Sequence, residues 1–132
     1  MAIVEFSTRR CNGQLVVCLG GELDVAAAAT VAAALVQVAV LARQVIMDLE
    51  GLEFIDSSGL AALVRARKHA KQAGGDLLLA APQRQVLRVL AITRLTEVFP
   101  VHACVEDAAG LRVRSPAGAA PVPTSPAIIA VT

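Results

Sequence analysis

An α/β fold, with one mixed β-sheet parallel at its centre and antiparallel at its N-terminal strand, is predicted by three features of the sequence. Short apolar runs alternate with helix-length segments from residue 14 to residue 112, which is the pattern of a sheet wound with helices. Asn12-Gly13 joins the first two runs as a hairpin turn does, so the chain opens with an antiparallel pair. The chain has 132 residues, room for one domain with a real core and not for two.

The elements follow in order. Ile3 to Thr8 alternates loosely and reads as a strand, and Gln14 to Leu19 is the second, broken by Gly20-Gly21. Asp24 then caps a helix from Val25 to Ala42, which is mostly alanine and is closed by Arg43. Val45 to Leu49 is nearly continuous in apolar residues, as in a strand covered on both faces. A loop from Glu50 to Ile55 leads to a helix opening at Asp56-Ser57-Ser58-Gly59. Leu60, Leu63, Val64, Ala66 and Ala70 keep helical spacing there, cations crowd its C-terminal half, and Gly74-Gly75 ends it. Asp76 to Ala81 is another buried strand, and Pro82 opens a third helix that buries Val86, Leu87, Val89, Leu90 and Ile92. Glu97 to Val101 reads as a short edge strand, since Pro100 does not suit a central one. A last helix runs from Glu106 to about Arg112, about four helices in all. Residues 114–132 hold four of the six prolines and, after Arg114, no charge, so they read as a flexible Pro/Ala-rich tail beyond a domain of residues 1–113.

Composition excludes several function classes. Apolar residues make up 56% of the chain, with no tryptophan or tyrosine, so the core is aliphatic and no platform for stacking bases exists. A formal charge of +1 gives no footprint for nucleic acid or a membrane surface. Val25 to Ala42 has membrane-spanning length, but alanine contributes little to insertion, and a water-exposed helix with an apolar outer face is the better reading. That face suits a docking surface or a homodimer contact. Cys11, Cys18 and Cys104 are odd in number and lack CxxC spacing, which argues against a disulfide framework or a metal site and for a reduced compartment. Glu5, Arg9 and Arg10 interrupt the region where an export signal needs an apolar run, so a cytoplasmic protein is expected. Neither G-x-x-x-x-G-K-[ST] nor G-x-G-x-x-G occurs, and no cofactor is expected.

In open α/β sheets functional loops gather beyond the carboxyl ends of the parallel strands. Two loops there stand out, Gly21-Glu22-Leu23-Asp24 and Phe54 to Gly59. By its residues alone Asp56-Ser57-Ser58-Gly59 is a helix cap, with Asp56 accepting from free backbone N–H groups and the glycine stripping side-chain cover from the first turn.

Three motifs carry more. GGELD at Gly20–Asp24, VIMDLEGLEFIDSSGL at Val45–Leu60 and GGDLLLAAPQRQVLRVLAITRLTEVFPV at Gly74–Val101 together resemble the STAS family, and within it the bacterial anti-sigma factor antagonists. The resemblance covers about residues 3–112. It implies that Ser57, first serine of the DSSG turn, is the residue phosphorylated by a partner that is both anti-sigma factor and serine kinase. It also implies that Asp24, Asp56, Ser58 and Gly59 belong to the partner surface. The unphosphorylated antagonist binds the kinase and frees a sigma factor, the phosphorylated one lets go, and a PP2C-type phosphatase resets it.

Other readings compete. A hydrolase using Ser57 or Ser58 needs a base, and His69 stands roughly 16–18 Å along the same helix at about 1.5 Å per residue. His102 follows a different strand, and no G-x-S-x-G elbow occurs, so an enzyme is not expected. A constitutive STAS scaffold or accessory subunit, of a stress-signalling or membrane-transport complex, would share the fold and use Ser57 only as part of a cap.

Overall fold

The computed structural model describes residues 4–39, 42–110 and 129–131. Strands β1 (Val4–Cys11) and β2 (Gln14–Leu23) form the opening hairpin. Helix α1 (Val25–Ala39) leads to β3 (Gln44–Ile55), α2 (Ser57–Gln72) and β4 (Asp76–Ala80). Helix α3 (Arg84–Ile92) and a single 3-10 turn at Leu95–Glu97 precede β5 (Val101–His102) and the one-turn α4 (Val105–Ala108). A three-residue strand β6 (Ile129–Val131) closes the described chain. The sheet order is β5-β4-β3-β2-β1-β6, with β2 to β5 mutually parallel and β1 antiparallel to both its neighbours. This is the mixed α/β sheet that the alternation predicts.

The two faces of the sheet are covered unequally, and strand alternation sorts the residues between them. Val4, Phe6, Val17, Leu19, Val45, Met47, Leu77 and Leu79 point into the main core. They meet Val31 and Leu35 of α1, Leu63 and Ala66 of α2, and Val86 and Leu90 of α3. Val16, Ile46, Leu78 and Ala80 point the other way, where α4 supplies Val105 and Ala108. The alanine content of α1 has a packing reason. Ala28 and Ala32 press against Ala62 of α2, and small side chains let the two helices lie close along their length.

Several boundaries differ from the sequence expectation. Gly20-Gly21 does not end β2; the strand runs on to Leu23 through two register shifts against β3. Glu50 to Ile55 is likewise strand, not loop, because it pairs with that same continuation. The glycines ease it: a Cβ at Gly51 would lie 3.3 Å from the Gly20 Cα, a tight contact that the strands could take only by shifting a few tenths of an ångström. The third helix starts at Arg84 rather than Pro82. The edge strand forms after Pro100 rather than through it, Glu97 being in the 3-10 turn. The last helix is the single turn ending at Ala108, and Arg112 lies outside the described residues. Of the tail read over 114–132, residues 114–128 and 132 lie outside the described residues as well, while Ile129–Val131 pair with β1.

Charged groups tie α2 to the sheet. The Arg67 Nε donates to Asp76 Oδ1 at 3.0 Å, the Lys71 Nζ lies 3.4 Å from Oδ2, and the Arg67 guanidinium sits 5.5 Å over the Phe99 ring. Burial pushes the Asp76 carboxyl up, but the Leu77 N–H and the two cations outweigh it and hold the group below its ordinary value. A carboxylate lowered by folding adds stability above its unfolded pKa and loses it as pH falls through the folded one. Asp76→Asn is therefore expected to cost about 1 kcal/mol at neutral pH, discounted for partial exposure. Paired urea titrations should show that difference shrink progressively below about pH 4. The three cysteines form no disulfide; burial and the neighbouring Asp48 push the Cys18 thiol up, so it stays protonated beside that carboxylate.

Candidate functional site

Parallel pairing of β2 with β3 brings the two candidate loops together. Leu23 and Ile55 are register partners at the ends of these strands, so Asp24 and Asp56 follow as neighbours at one end of the sheet. The Asp56 N–H donates to the Leu23 carbonyl at 3.2 Å, which ties the two exits together directly. Each aspartate caps the helix after it. Asp24 Oδ1 accepts from the Ala26 and Ala27 amides at 3.0 and 3.2 Å, and Asp56 Oδ1 accepts from the Gly59 amide at 2.9 Å. The N-termini of α1 and α2 thus stand side by side, each with a carboxylate on its first turn.

Ser57 is the first residue of α2 and is exposed, whereas Ser58 and Asp56 are half-buried. Because the Asp56 carboxylate takes the Gly59 amide, the Ser57 and Ser58 amides have no acceptor among the described residues. The hydroxyl of Ser57 makes no hydrogen bond among them either, so the cap belongs to Asp56 alone. Asp56→Ala is expected to lower stability by about 1 kcal/mol, and Ser57→Ala to stay within about 0.5 kcal/mol of the unmodified chain. Chemical denaturation of both variants checks the contrast.

Gly59 occupies a different place from the one its motif position suggests. It is buried, and a Cβ there would lie 2.5 Å from the Leu23 carbonyl oxygen and 2.8 Å from both Ile55 Cγ1 and Leu23 Cγ. The residue is glycine because the first turn of α2 is pressed onto the end of β2. It positions Ser57 without reaching the surface.

Exposed apolar side chains stand around Ser57. Ala61 and Val64 are exposed on the Ser57 face of α2, at the spacing that aligns residues along a helix. Phe54 is 47% exposed just before the turn, and Val25 is 72% exposed at the start of α1. The outer face of α1 continues the patch with Ala29, Thr30 and Ala33, without charge. Both lie in segments that the sequence singles out, the Phe54–Gly59 loop and the Val25–Ala42 helix, but the exposure of these two side chains is legible only once the strand alternation and the helix start are known. Gln83 and Gln85, ahead of and in α3, brace the β3 extension by donating to the Glu50 and Glu53 carbonyls at 2.7 and 3.2 Å.

Two open hollows, of about 330 Å³ beside Arg10 and Arg43 and about 570 Å³ beside Leu87 and His102, include none of the five candidate residues. No group of three metal-ligating side chains occurs among the described residues. His69 lies along α2 and His102 on β5, with β4 between it and β3. No helix among the described residues is long and apolar enough to cross a membrane.

Known proteins share both sequence and shape with this chain. The family model of the STAS domain matches residues 5–108. BtrV of Bordetella bronchiseptica, provisionally named an anti-sigma factor antagonist, is 34% identical over 101 residues, 76% of this chain and 87% of that protein. An anti-sigma F factor antagonist of Paenibacillus polymyxa is 31% identical over 94 residues, 69% of this chain and 80% of that protein. Among solved structures, an anti-sigma factor antagonist of Mycobacterium paratuberculosis superposes with a TM-score of 0.72 at 24% identity, covering 80% of this chain and 90% of that one. The unphosphorylated form of SpoIIAA gives 0.65 at 24% identity, over 78% and 91%. With this match over nearly all of its first 110 residues, the chain belongs to the STAS domain family.

Proposed function

We propose that this chain is an anti-sigma factor antagonist switched at Ser57. Unmodified, it binds an anti-sigma serine kinase through the Ser57 surface and so releases a sigma factor; phosphorylated, it lets the kinase go, and a PP2C-type phosphatase resets it. The observation that carries this reading is the state of Ser57. It is exposed, it does no capping, and it sits on two unoccupied backbone amides at a helix start. A kinase can reach such a hydroxyl, and those amides can receive part of the charge that phosphate brings. The names of the sequence relatives, and the existence of SpoIIAA in a phosphorylated form, support the same assignment.

Asp24 and Asp56 have a second role in this account. Both carboxylates stand at the same end of the sheet as Ser57 and are committed to caps. Exposed Glu22 and Glu53 stand on the same two strand ends. A phosphate added there adds to the negative charge already at this end of the sheet, beside exposed apolar side chains. The fold need not change for the interface to fail.

The test is sigma-factor release. The chain is added to a purified complex of an anti-sigma kinase and its sigma factor from the same cell, without ATP, and free sigma factor is measured. The unmodified chain and Ser57→Ala should both release it, and Ser57→Asp should not. Release by all three forms would favour a constitutive scaffold, and release by none of them, with every candidate kinase, would remove the proposal.

A further inference from the structure

The outer edge of β1 carries a pattern unrelated to the Ser57 surface. Asn12 and Gly13, with φ of 53° and 78°, make a two-residue turn that closes on the Cys11–Gln14 pair. In such a hairpin the closing pair exchanges hydrogen bonds, and every second pair after it does too. The backbone of Cys11, Arg9, Ser7 and Glu5 therefore bonds to β2, and that of Val4, Phe6, Thr8 and Arg10 faces the outer edge. Strand β6 occupies part of this edge: Val4 pairs with Val131 and Phe6 with Ile129. Among the described residues nothing pairs with Thr8 or Arg10.

The edge is self-complementary. If a second copy approaches antiparallel about a two-fold axis at Ser7, Phe6 faces Thr8 of the other copy and Val4 faces its Arg10. Glu5 then stands opposite Arg9 of the second copy, and symmetry makes this opposite-charge contact twice. The Glu5–Arg9 positions are non-hydrogen-bonded ones, where facing side chains approach most closely. Glu5 is exposed, and the Arg9 side chain keeps 27% of its surface while lying 3.4 Å from Asp48. Strand β6 covers Val4 to Phe6, half of the stretch this pairing needs, so it and a second copy exclude each other. A three-residue strand offers only a few hydrogen bonds to this edge.

We propose that the outer edge of β1 is a strand-addition surface for a second copy of this chain, and that the chain's own C-terminal strand occupies it and opposes dimerisation. The experiment compares the full chain with one ending at Pro126, by light scattering over a range of concentrations in low salt. The shortened chain should double in mass as concentration rises, while the full chain keeps its mass over the same range. Glu5→Arg in the shortened chain places like charges opposite Arg9 and should return it to single-chain mass. Equal masses for full and shortened chains, or a dimer indifferent to Glu5→Arg, would overturn the proposal. Should the shortened chain not fold, Ile129→Pro in the full chain removes the amide that faces Phe6. It should show the same doubling, and an unchanged mass would overturn the proposal equally.

Discussion

Phosphorylation of Ser57 is expected to weaken kinase binding by about two to four orders of magnitude. A partner has to cover exposed Phe54, Val25, Ala61 and Val64 around one small hydroxyl. An apolar contact of this kind excludes water from its centre. Phosphate adds about −1.5 to −2 charges there. A partner shaped for a hydroxyl has no counter-charge to offer, and an unpaired buried charge costs roughly 3–5 kcal/mol. The free chain avoids that cost, because water and the Ser57 and Ser58 amides solvate the group. Calorimetric titration of the unmodified and phosphorylated chains measures the ratio. A loss smaller than tenfold would mean that Ser57 lies at the rim of the interface, where charge is tolerated.

The second large effect concerns Gly59→Ala, which is expected to destabilise the fold by about 2–3 kcal/mol. The added Cβ meets the Leu23 carbonyl oxygen at 2.5 Å, and that oxygen is fixed by the Asp56 amide. Overpacking typically costs about 1–3 kcal/mol and occasionally more, and a contact this short with a backbone oxygen belongs at or above the top of that range. The better helix propensity of alanine returns about 1 kcal/mol of it. A melting temperature lower by roughly 10 °C should follow, together with weaker kinase binding as α2 lifts from β2. An unchanged melting temperature with lost binding would instead make Gly59 a contact residue, the role its motif position implies.

The sequence displayed the architecture well and the details of its site less well. Apolar runs at Val45–Leu49 and Asp76–Ala80 read directly as central strands because both of their faces are buried. Glu50-Gly51-Leu52-Glu53 reads as loop because its residues suit turns, yet it is strand. Its pairing depends on Gly20 and Gly51 passing each other, a relation between distant residues that local propensity does not contain. The same limit applies at the site. Asp24 and Asp56 are legible as caps from residue type and position. That they stand side by side follows only from the parallel register of β2 and β3. Gly59 looks like an opening in the surface of α2 until the Leu23 carbonyl is seen behind it. Strand β6 is short, and only its pairing with β1 distinguishes it from the proline-rich stretch before it.

The most direct test of the switch is the intact mass of the chain after incubation with ATP and anti-sigma kinases from its own cell, beside a Ser57→Ala control. The account predicts one added phosphate on the unmodified chain, none on the control, and loss of the kinase from the phosphorylated form. No phosphate with any of those kinases, or a phosphate that persists in the control, would contradict it.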